Sequence, residues 1–160
     1  MRACLVVYFS RTGMTRKAAE EIAAACRCKL EPILEKTDRS GLKGYIFSGY
    51  QAVMKKLPEI NPSSEDPGDY ETLILGTPVW ASSVSAPTRS YIAQNAGHFN
   101  KIAVFCTMMR SGGDKALDEI EALAGKTPVA RLVLTDAEIV KNSIREKVRA
   151  FSRRVLVEQD

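Results

Sequence analysis

The chain has 160 residues, of which 45% are hydrophobic and 26% are charged. Its length and composition match one ordinary globular domain and exclude disorder and collagen-like repetition. The 23 Lys and Arg residues against 19 Asp and Glu residues give a net charge of +4, which is too small to predict nucleic-acid binding. We predict a single domain over residues 1–160.

No apolar run approaches the roughly 20 residues that a membrane-spanning helix needs. The first such run, residues 3–9, is also too short and begins too early for a secretory signal peptide. The sequence therefore predicts a cytoplasmic protein without a membrane span. The four cysteines lack the spacing of a disulfide framework, so we expect reduced thiols, and a single histidine, His98, argues against a metal site.

The first half of the chain predicts two strands and two helices. Residues 3–9 are apolar and rich in β-branched side chains, as in a strand that is covered on both faces. A helix is predicted over 14–26, and a weaker strand over 28–34, which Pro32 places at a sheet edge. A second helix is predicted over 42–57, and we expect its apolar face to meet the core: Leu42, Ile46, Tyr50, Val53 and Leu57.

The second half continues the alternation after a loop over 58–69. A strand over 70–76 is expected to end at Thr77-Pro78, because proline has no N–H to donate to a sheet. The remaining predicted elements are a helix from Pro87 to about Asn95, a strand over 102–106, a helix over 115–124 closed by Gly125, a strand over 129–134, and one long terminal helix with Val140, Ile144, Val148, Phe151 and Val155 on one face.

Strict alternation of strands and helices predicts an α/β fold with a doubly wound, five-stranded parallel sheet. The leading topology has the strand order 2-1-3-4-5. In such sheets, ligands bind beyond the carboxyl ends of the strands, where the strand order reverses. The loops after the first, third and fourth predicted strands are therefore the candidate site.

The loop after the first strand, residues 10–15, leads directly into a helix. It combines three hydroxyl side chains with Gly13 and the charge of Arg11, and the free N–H groups of a helix amino end favour a phosphate. A simpler alternative is that Ser10 and Thr12 only cap the helix. The glycine-lysine pair of the P-loop and the glycine-rich dinucleotide fingerprint are both missing, which argues against nucleotide hydrolysis and dinucleotide binding at this loop.

The stretch Val6-Val7-Tyr8-Phe9-Ser10-Arg11-Thr12-Gly13-Met14-Thr15 resembles the FMN phosphate-binding signature of the flavodoxin family. The uninterrupted fifth predicted strand, residues 129–134, is similar to that of the short-chain type of the family. More weakly, Gly76–Trp80 resembles the second flavin loop of the family, and Cys106–Asp114 stands in the place of the third. The resemblance implies a non-covalent FMN and electron transfer. It assigns cofactor binding to Ser10, Arg11, Thr12, Gly13, Met14, Thr15, Thr77, Pro78, Val79, Trp80, Ala81, Ser82, Thr107, Met108, Met109, Arg110, Gly112, Gly113 and Asp114.

Trp80 is expected to stack on one face of the flavin ring. The chain departs from the family in three ways. The third loop has Met108, Met109 and Arg110 where many flavodoxins place an aromatic residue, so we expect an open second face. Ala81 stands where a glycine is common, and because alanine resists positive φ, we expect storage of a single electron to be less favoured. The chain is also basic, with a sequence pI near 8.9, whereas flavodoxins are typically acidic.

Three functions stay open at this point. The first is an electron carrier with a redox partner protein or a small-molecule electron donor or acceptor. The second is an NAD(P)H- or quinone-linked FMN-dependent oxidoreductase, in which Arg110 attracts an anionic donor. The third is a flavin-free module that binds another phosphate. No catalytic side chain is predicted, because the cofactor carries the chemistry.

Tyr45, Phe47 and Tyr50 cluster in the second predicted helix. Core packing is the expected use of these rings, and a substrate entrance or a dimer contact is the alternative. The sequence does not decide the oligomeric state.

Overall fold

Strands and helices alternate along the chain in the computed structural model, which describes residues 1–36 and 38–159. The strands are β1 (Arg2–Tyr8), β2 (Lys29–Pro32), β3 (Tyr70–Trp80), β4 (Ser83–Val84), β5 (Lys101–Met108) and β6 (Arg131–Thr135). The helices are α1 (Met14–Cys26), α2 (Gly41–Val53), α3 (Ala86–Asn95), α4 (Gly113–Ala124), α5 (Asp136–Val140) and α6 (Arg145–Val157). None of the helices within these residues is long and apolar enough to cross a membrane.

Five of the strands form a parallel sheet in the order β2-β1-β3-β5-β6. The short β4 lies outside this path and pairs antiparallel with the end of β3. With β4 set aside, the order is the predicted 2-1-3-4-5, so the doubly wound α/β fold is confirmed. The single-domain assignment of residues 1–160 and the cytoplasmic location stay predictions.

The side chains of β1 explain why this strand is apolar after Arg2. Leu5 and Val7 belong to a cluster on one side of the sheet, which includes Leu117 from α4. Val6 and Tyr8 belong to a second cluster, on the side covered by α1 and α6. Because successive side chains of a strand point to opposite faces, a strand covered on both faces has apolar residues at successive positions.

The third strand runs farther than predicted. It continues through Pro78 to Trp80, with Pro78 opposite Thr107 of β5. The expected stop at Thr77-Pro78 is wrong, because β1 pairs with β3 only as far as Gly76. Beyond that point β3 has a parallel neighbour on one side only, and proline is tolerated where a strand edge lacks a partner.

The orientation predicted for the second helix is also wrong. The buried residues of α2 are the small ones, Gly44, Ser48 and Ala52. The apolar face that was expected to meet the core is exposed, together with two further aromatic side chains: Leu42, Tyr45, Ile46, Phe47, Tyr50, Val53 and Leu57. Gly44 accounts for the orientation, because a Cβ at this position would lie 1.9 Å from the Arg39 carbonyl oxygen. The helix approaches the neighbouring backbone so closely that only its glycine side fits there.

The predicted long terminal helix is two helices, α5 and α6. Thr135 and Glu138 form a capping box at the start of α5. The chain then turns at Asn142, whose φ is 55°, in the left-handed region that ends a helix. Val140 is consequently exposed, whereas Ile144 and the three predicted core positions after it are buried.

The cysteines differ from the expectation of four free thiols. Cys4 and Cys28 form a disulfide with a Cα–Cα distance of 5.0 Å. The residues that follow them, Leu5 and Lys29, are paired across β1 and β2. Parallel pairing therefore brings together two cysteines that are 24 residues apart. Cys26 and Cys106 are free and buried, as small core residues.

Candidate functional site at the carboxyl ends of the strands

The three predicted loops follow strands that are neighbours in the sheet. Tyr8 at the end of β1 lies opposite Gly76 of β3, and Pro78 of β3 lies opposite Thr107 of β5. Because the strands are parallel, the loops that follow them emerge at the same edge. The topology thus brings the three candidate segments together.

The first loop ends in a helix without a side-chain cap. Gly13 is the N-cap of α1, with a φ of 98°, and no side chain of the described residues caps this helix. Ser10 instead folds back and accepts a hydrogen bond from the Gly13 N–H at 3.0 Å. The first turn of α1 contains no acidic residue. An anion at this end of α1 would therefore meet free N–H groups and the positive end of the helix dipole.

A buried hydroxyl pair joins the first loop to the third. The Thr15 Oγ1 atom lies 2.7 Å from the Thr107 Oγ1 atom, and both residues are buried. Thr15 is in the first turn of α1, and Thr107 is near the end of β5. This hydrogen bond fixes the distance between the amino end of α1 and the loop that leads to α4.

The third loop ends in a second free helix amino end. Gly112 is the N-cap of α4, with a φ of 91°, and it too offers no side-chain cap. Gly113 packs closely above Cys106, whose thiol lies 3.8 Å from the Gly113 carbonyl oxygen. Burial raises the pKa of Cys106 to about 12, so the thiol under this loop stays neutral.

The second loop is a tight hairpin turn between β3 and β4. Trp80 pairs with Ser83, and the two residues between them, Ala81 and Ser82, have φ values of 49° and 60°. A two-residue hairpin loop of type I′ has positive φ at both central residues and normally has glycine or asparagine there. The expectation that Ala81 avoids positive φ is therefore wrong. Since the hairpin imposes this conformation, Ala81 stores backbone strain.

The same turn contacts the third loop. A Cβ atom at Gly112 would lie 2.8 Å from the Cα atom of Ser82, so glycine is required for the two loops to approach each other. Each loop is thus held against another: the first against the third through the threonine pair, and the second against the third through Ser82 and Gly112.

Trp80 is more enclosed than the sequence suggests, with only 8% of its surface exposed. The ring of Phe9 meets it edge-on at 5.5 Å, and the guanidinium of Arg39 lies over it at 4.8 Å from the ring centroid. Stacking of Trp80 on a flavin ring stays a prediction, and the position of Arg39 means that one face of the indole is already covered.

Two site neighbours that the sequence did not reveal are Arg39 and Glu35. The guanidinium of Arg39 bonds to the carboxylate of Glu35 and lies over Phe47 as well as over Trp80. Its carbonyl oxygen accepts a hydrogen bond from Arg11 of the first loop at 3.4 Å. In the sequence, the only sign of this pair is that an acidic and a basic residue stand four positions apart in a segment without periodicity. Many solvent-exposed loops have the same spacing of charges.

The predicted site residues fall into three groups by their burial. The buried ones are Thr15, Trp80, Thr107 and Gly113, with Thr77 held by hydrogen bonds to Ser85. The half-buried ones are Ser10, Arg11, Met14, Pro78, Val79, Ser82, Met108 and Gly112, and the exposed ones are Thr12, Gly13, Ala81, Met109, Arg110 and Asp114. The structure brings all three segments to one edge, with Met109 and Arg110 on the outside of the third loop.

A cavity of about 700 Å³ lies elsewhere, between α1 and α6. Three arginines of α6, Arg145, Arg149 and Arg153, line it together with Glu21. None of its lining residues belongs to the three loops.

The family model described as flavodoxin matches residues 3–153, which is most of the chain. The chain belongs to the flavodoxin family. No curated protein matches this flavodoxin-family chain. Its signature loop, residues 10–15, accordingly lies in the position that its sequence predicted, between β1 and α1.

Solved flavodoxin-like structures share the fold of this flavodoxin-family chain. A flavoprotein from Lactobacillus acidophilus NCFM, crystallised in complex with FMN, is 22% identical over 88% of this chain and 98% of its own, with a TM-score of 0.73. Oxidised flavodoxin 2 from Bacillus cereus is 14% identical over 98% of this chain and 99% of its own, with a TM-score of 0.63. Two-electron reduced flavodoxin from Megasphaera elsdenii is 18% identical over 94% of this chain and 98% of its own, with a TM-score of 0.60.

Proposed function

We propose that this chain binds FMN without a covalent bond, through the loops over 10–15, 77–82 and 107–114, and takes part in electron transfer. The observation that carries the proposal is the convergence of these loops through the Thr15–Thr107 hydrogen bond, beside a helix amino end whose N–H groups are free. The crystallised FMN complex of a protein with the same fold supports the choice of ligand.

The chemistry of the first loop suits a phosphomonoester. Its oxygens accept hydrogen bonds, and the N–H groups of the first turn of α1 can only donate them. The exposed hydroxyl of Thr12 and the guanidinium of Arg11 add a donor and a positive charge at the same place. The absence of an acidic side chain from the first turn of α1 removes the repulsion that a dianion would otherwise meet.

The second and third loops offer the contacts that a flat ring with polar edges needs. Val79 and Met108 are half-buried apolar side chains on neighbouring strands. The amino end of α4 presents the N–H groups that follow Gly112, and these have no capping side chain. FMN bound here would supply the electron-accepting ring, and the residues of the chain would bind and orient it.

Comparing FMN with riboflavin tests this proposal. The two ligands share the ring, and only FMN has the phosphate. At a hundred times its Kd, FMN adds about 2.7 kcal/mol to the free energy of unfolding, which raises the Tm of a domain of this size by about 5–10 °C. We expect riboflavin to raise it much less. Equal shifts would refute phosphate binding at the first loop, and no shift with either ligand would refute the proposed function.

An oxidoreductase acting on a small molecule is a second candidate, and the third loop favours it. Met109 and Arg110 are exposed there, where an aromatic residue is absent and an anionic donor could approach. Stopped-flow reduction of the FMN-loaded protein by NADPH separates the two functions. A carrier reacts slowly without a partner reductase, whereas an oxidoreductase is reduced rapidly, and Arg110→Ala would then slow the reduction.

A further inference from the structure

The exposed face of α2 is the most unusual surface of the described chain. Eight large apolar side chains on this helix and just after it are exposed: Leu42, Tyr45, Ile46, Phe47, Tyr50, Val53, Met54 and Leu57. With roughly 140 Å² for a full aliphatic side chain and about 180 Å² for an aromatic one, their exposed fractions add up to roughly 700 Å². The largest apolar patch on a typical monomer is about 300–600 Å². This face is too large to be ordinary surface.

The pattern within this face is that of a helix–helix contact. Leu42, Ile46, Gly49 and Val53 follow one another at intervals of four, three and four residues, which is the spacing of the seam between two packed helices. Gly49 lies in the middle, and a Cβ atom placed on it would meet nothing within 4 Å. Among residues 1–36 and 38–159, no atom occupies the space beside Gly49, so this space is open to a second helix.

We infer that α2 is a dimer interface, at which Ile46 of each copy of this chain seats against Gly49 of the other across a twofold axis. The exposed apolar area, roughly 700 Å², is close to the share of one partner in a stable interface, about 800 Å². A twofold axis uses the same patch twice, so no second surface is needed. An antiparallel crossing at this point also keeps the two Lys43 side chains apart and makes the two helix dipoles antiparallel.

The interface reaches the rim of the proposed cofactor site. The guanidinium of Arg11, in the first loop, lies 5.5 Å from the centroid of the Tyr45 ring, on the flank of the same helix. A second copy on α2 therefore covers that side of the loop. The inference does not depend on FMN, since the patch and its seam are features of α2 itself.

Sedimentation velocity of the full chain, with and without added FMN, tests the inference. We expect a species of twice 17.6 kDa with a Kd of about 1 µM or tighter. Ile46→Lys, at a position 62% exposed, should weaken the dimer at least 100-fold and leave the circular dichroism spectrum unchanged. Val140→Lys is the matched control, because Val140 is 63% exposed and lies on α5, and it should leave the dimer intact.

Gly49→Ala separates the interface from the stability of the helix. Alanine favours the helix more than glycine does, so this change should raise the Tm of the monomeric Ile46→Lys variant. In the otherwise unchanged chain it should weaken the dimer at least tenfold, because the open space at this position is filled. A chain that stays monomeric at 100 µM overturns the inference. A dimer that survives Ile46→Lys, or one that Gly49→Ala leaves equally tight, also overturns it.

Discussion

The buried ion pair beside Trp80 provides a quantitative test of the structure around the site. The side chains of Arg39 and Glu35 are 3% and 4% exposed. The guanidinium of Arg39 bonds to both carboxylate oxygens of Glu35, to Ser48 at 3.2 Å and to Gln51. It therefore links the segment before α2 to α2 itself.

Arg39→Met removes the positive charge and keeps a long apolar side chain over the Trp80 ring. Glu35 is then left buried and without its partner, and removing one member of a buried pair typically costs about 3–5 kcal/mol. For a domain of this size, that lowers the Tm by roughly 6–20 °C. The double variant Arg39→Met/Glu35→Leu removes both charges, so most of this loss should be recovered. The two changes should therefore couple by at least about 2 kcal/mol.

Urea unfolding of the wild type, both single variants and the double variant measures this coupling. The midpoints should change while the slope with urea stays constant, so that the differences reflect stability alone. A coupling energy below about 0.5 kcal/mol would refute the reasoning, because exposed ion pairs give values of that size. It would mean that the pair is solvated and that Arg39 does not hold α2 against the site.

Three further predictions concern single residues. Thr15→Val leaves the buried hydroxyl of Thr107 without its partner and should lower the free energy of unfolding by about 1–3 kcal/mol in urea titrations, so an unchanged midpoint would contradict the pairing. Ala81→Gly relieves the left-handed strain and should raise the free energy of unfolding by about 0.5–1 kcal/mol, whereas Gly112→Ala should lower it. Burial raises the pKa of Cys106 from its ordinary value of 9.0 to about 12, so its contribution to stability is complete below pH 9 and is lost as the pH rises towards 12. Cys106→Ala should remove up to about 1.4 kcal/mol per pH unit from the decline of stability in that window, and a decline equally steep in both proteins would count against it.

The sequence predicted the position of the first loop in the fold correctly because its signals are local. Residues 10–15 were assigned to a loop between a buried strand and a helix, and the structure has β1 and α1 at those places. Free helix N–H groups and the preference of ligands for the carboxyl ends of parallel strands follow from backbone geometry, whatever the details of packing. Family membership followed from the same segment.

The errors arise where a contact between distant parts of the chain decides the outcome. Ala81 adopts positive φ because β3 and β4 pair on either side of it, and local preference alone would not place alanine there. Cys4 and Cys28 form a disulfide because β1 and β2 are neighbours in register. Arg39 reaches Trp80 from a segment that shows no periodicity.

The amino-acid sequence by itself determined the alternation of the main strands and helices, the winding of the sheet and the segments that meet at its edge, because periodicity and glycine placement act within a few residues. Only the tertiary structure decided which side of α2 faces inward. A hydrophobic pattern indicates that one face of a helix favours burial, but it does not indicate which surface buries that face. Close approach at Gly44 turned the small residues of α2 inward and left its apolar side chains exposed.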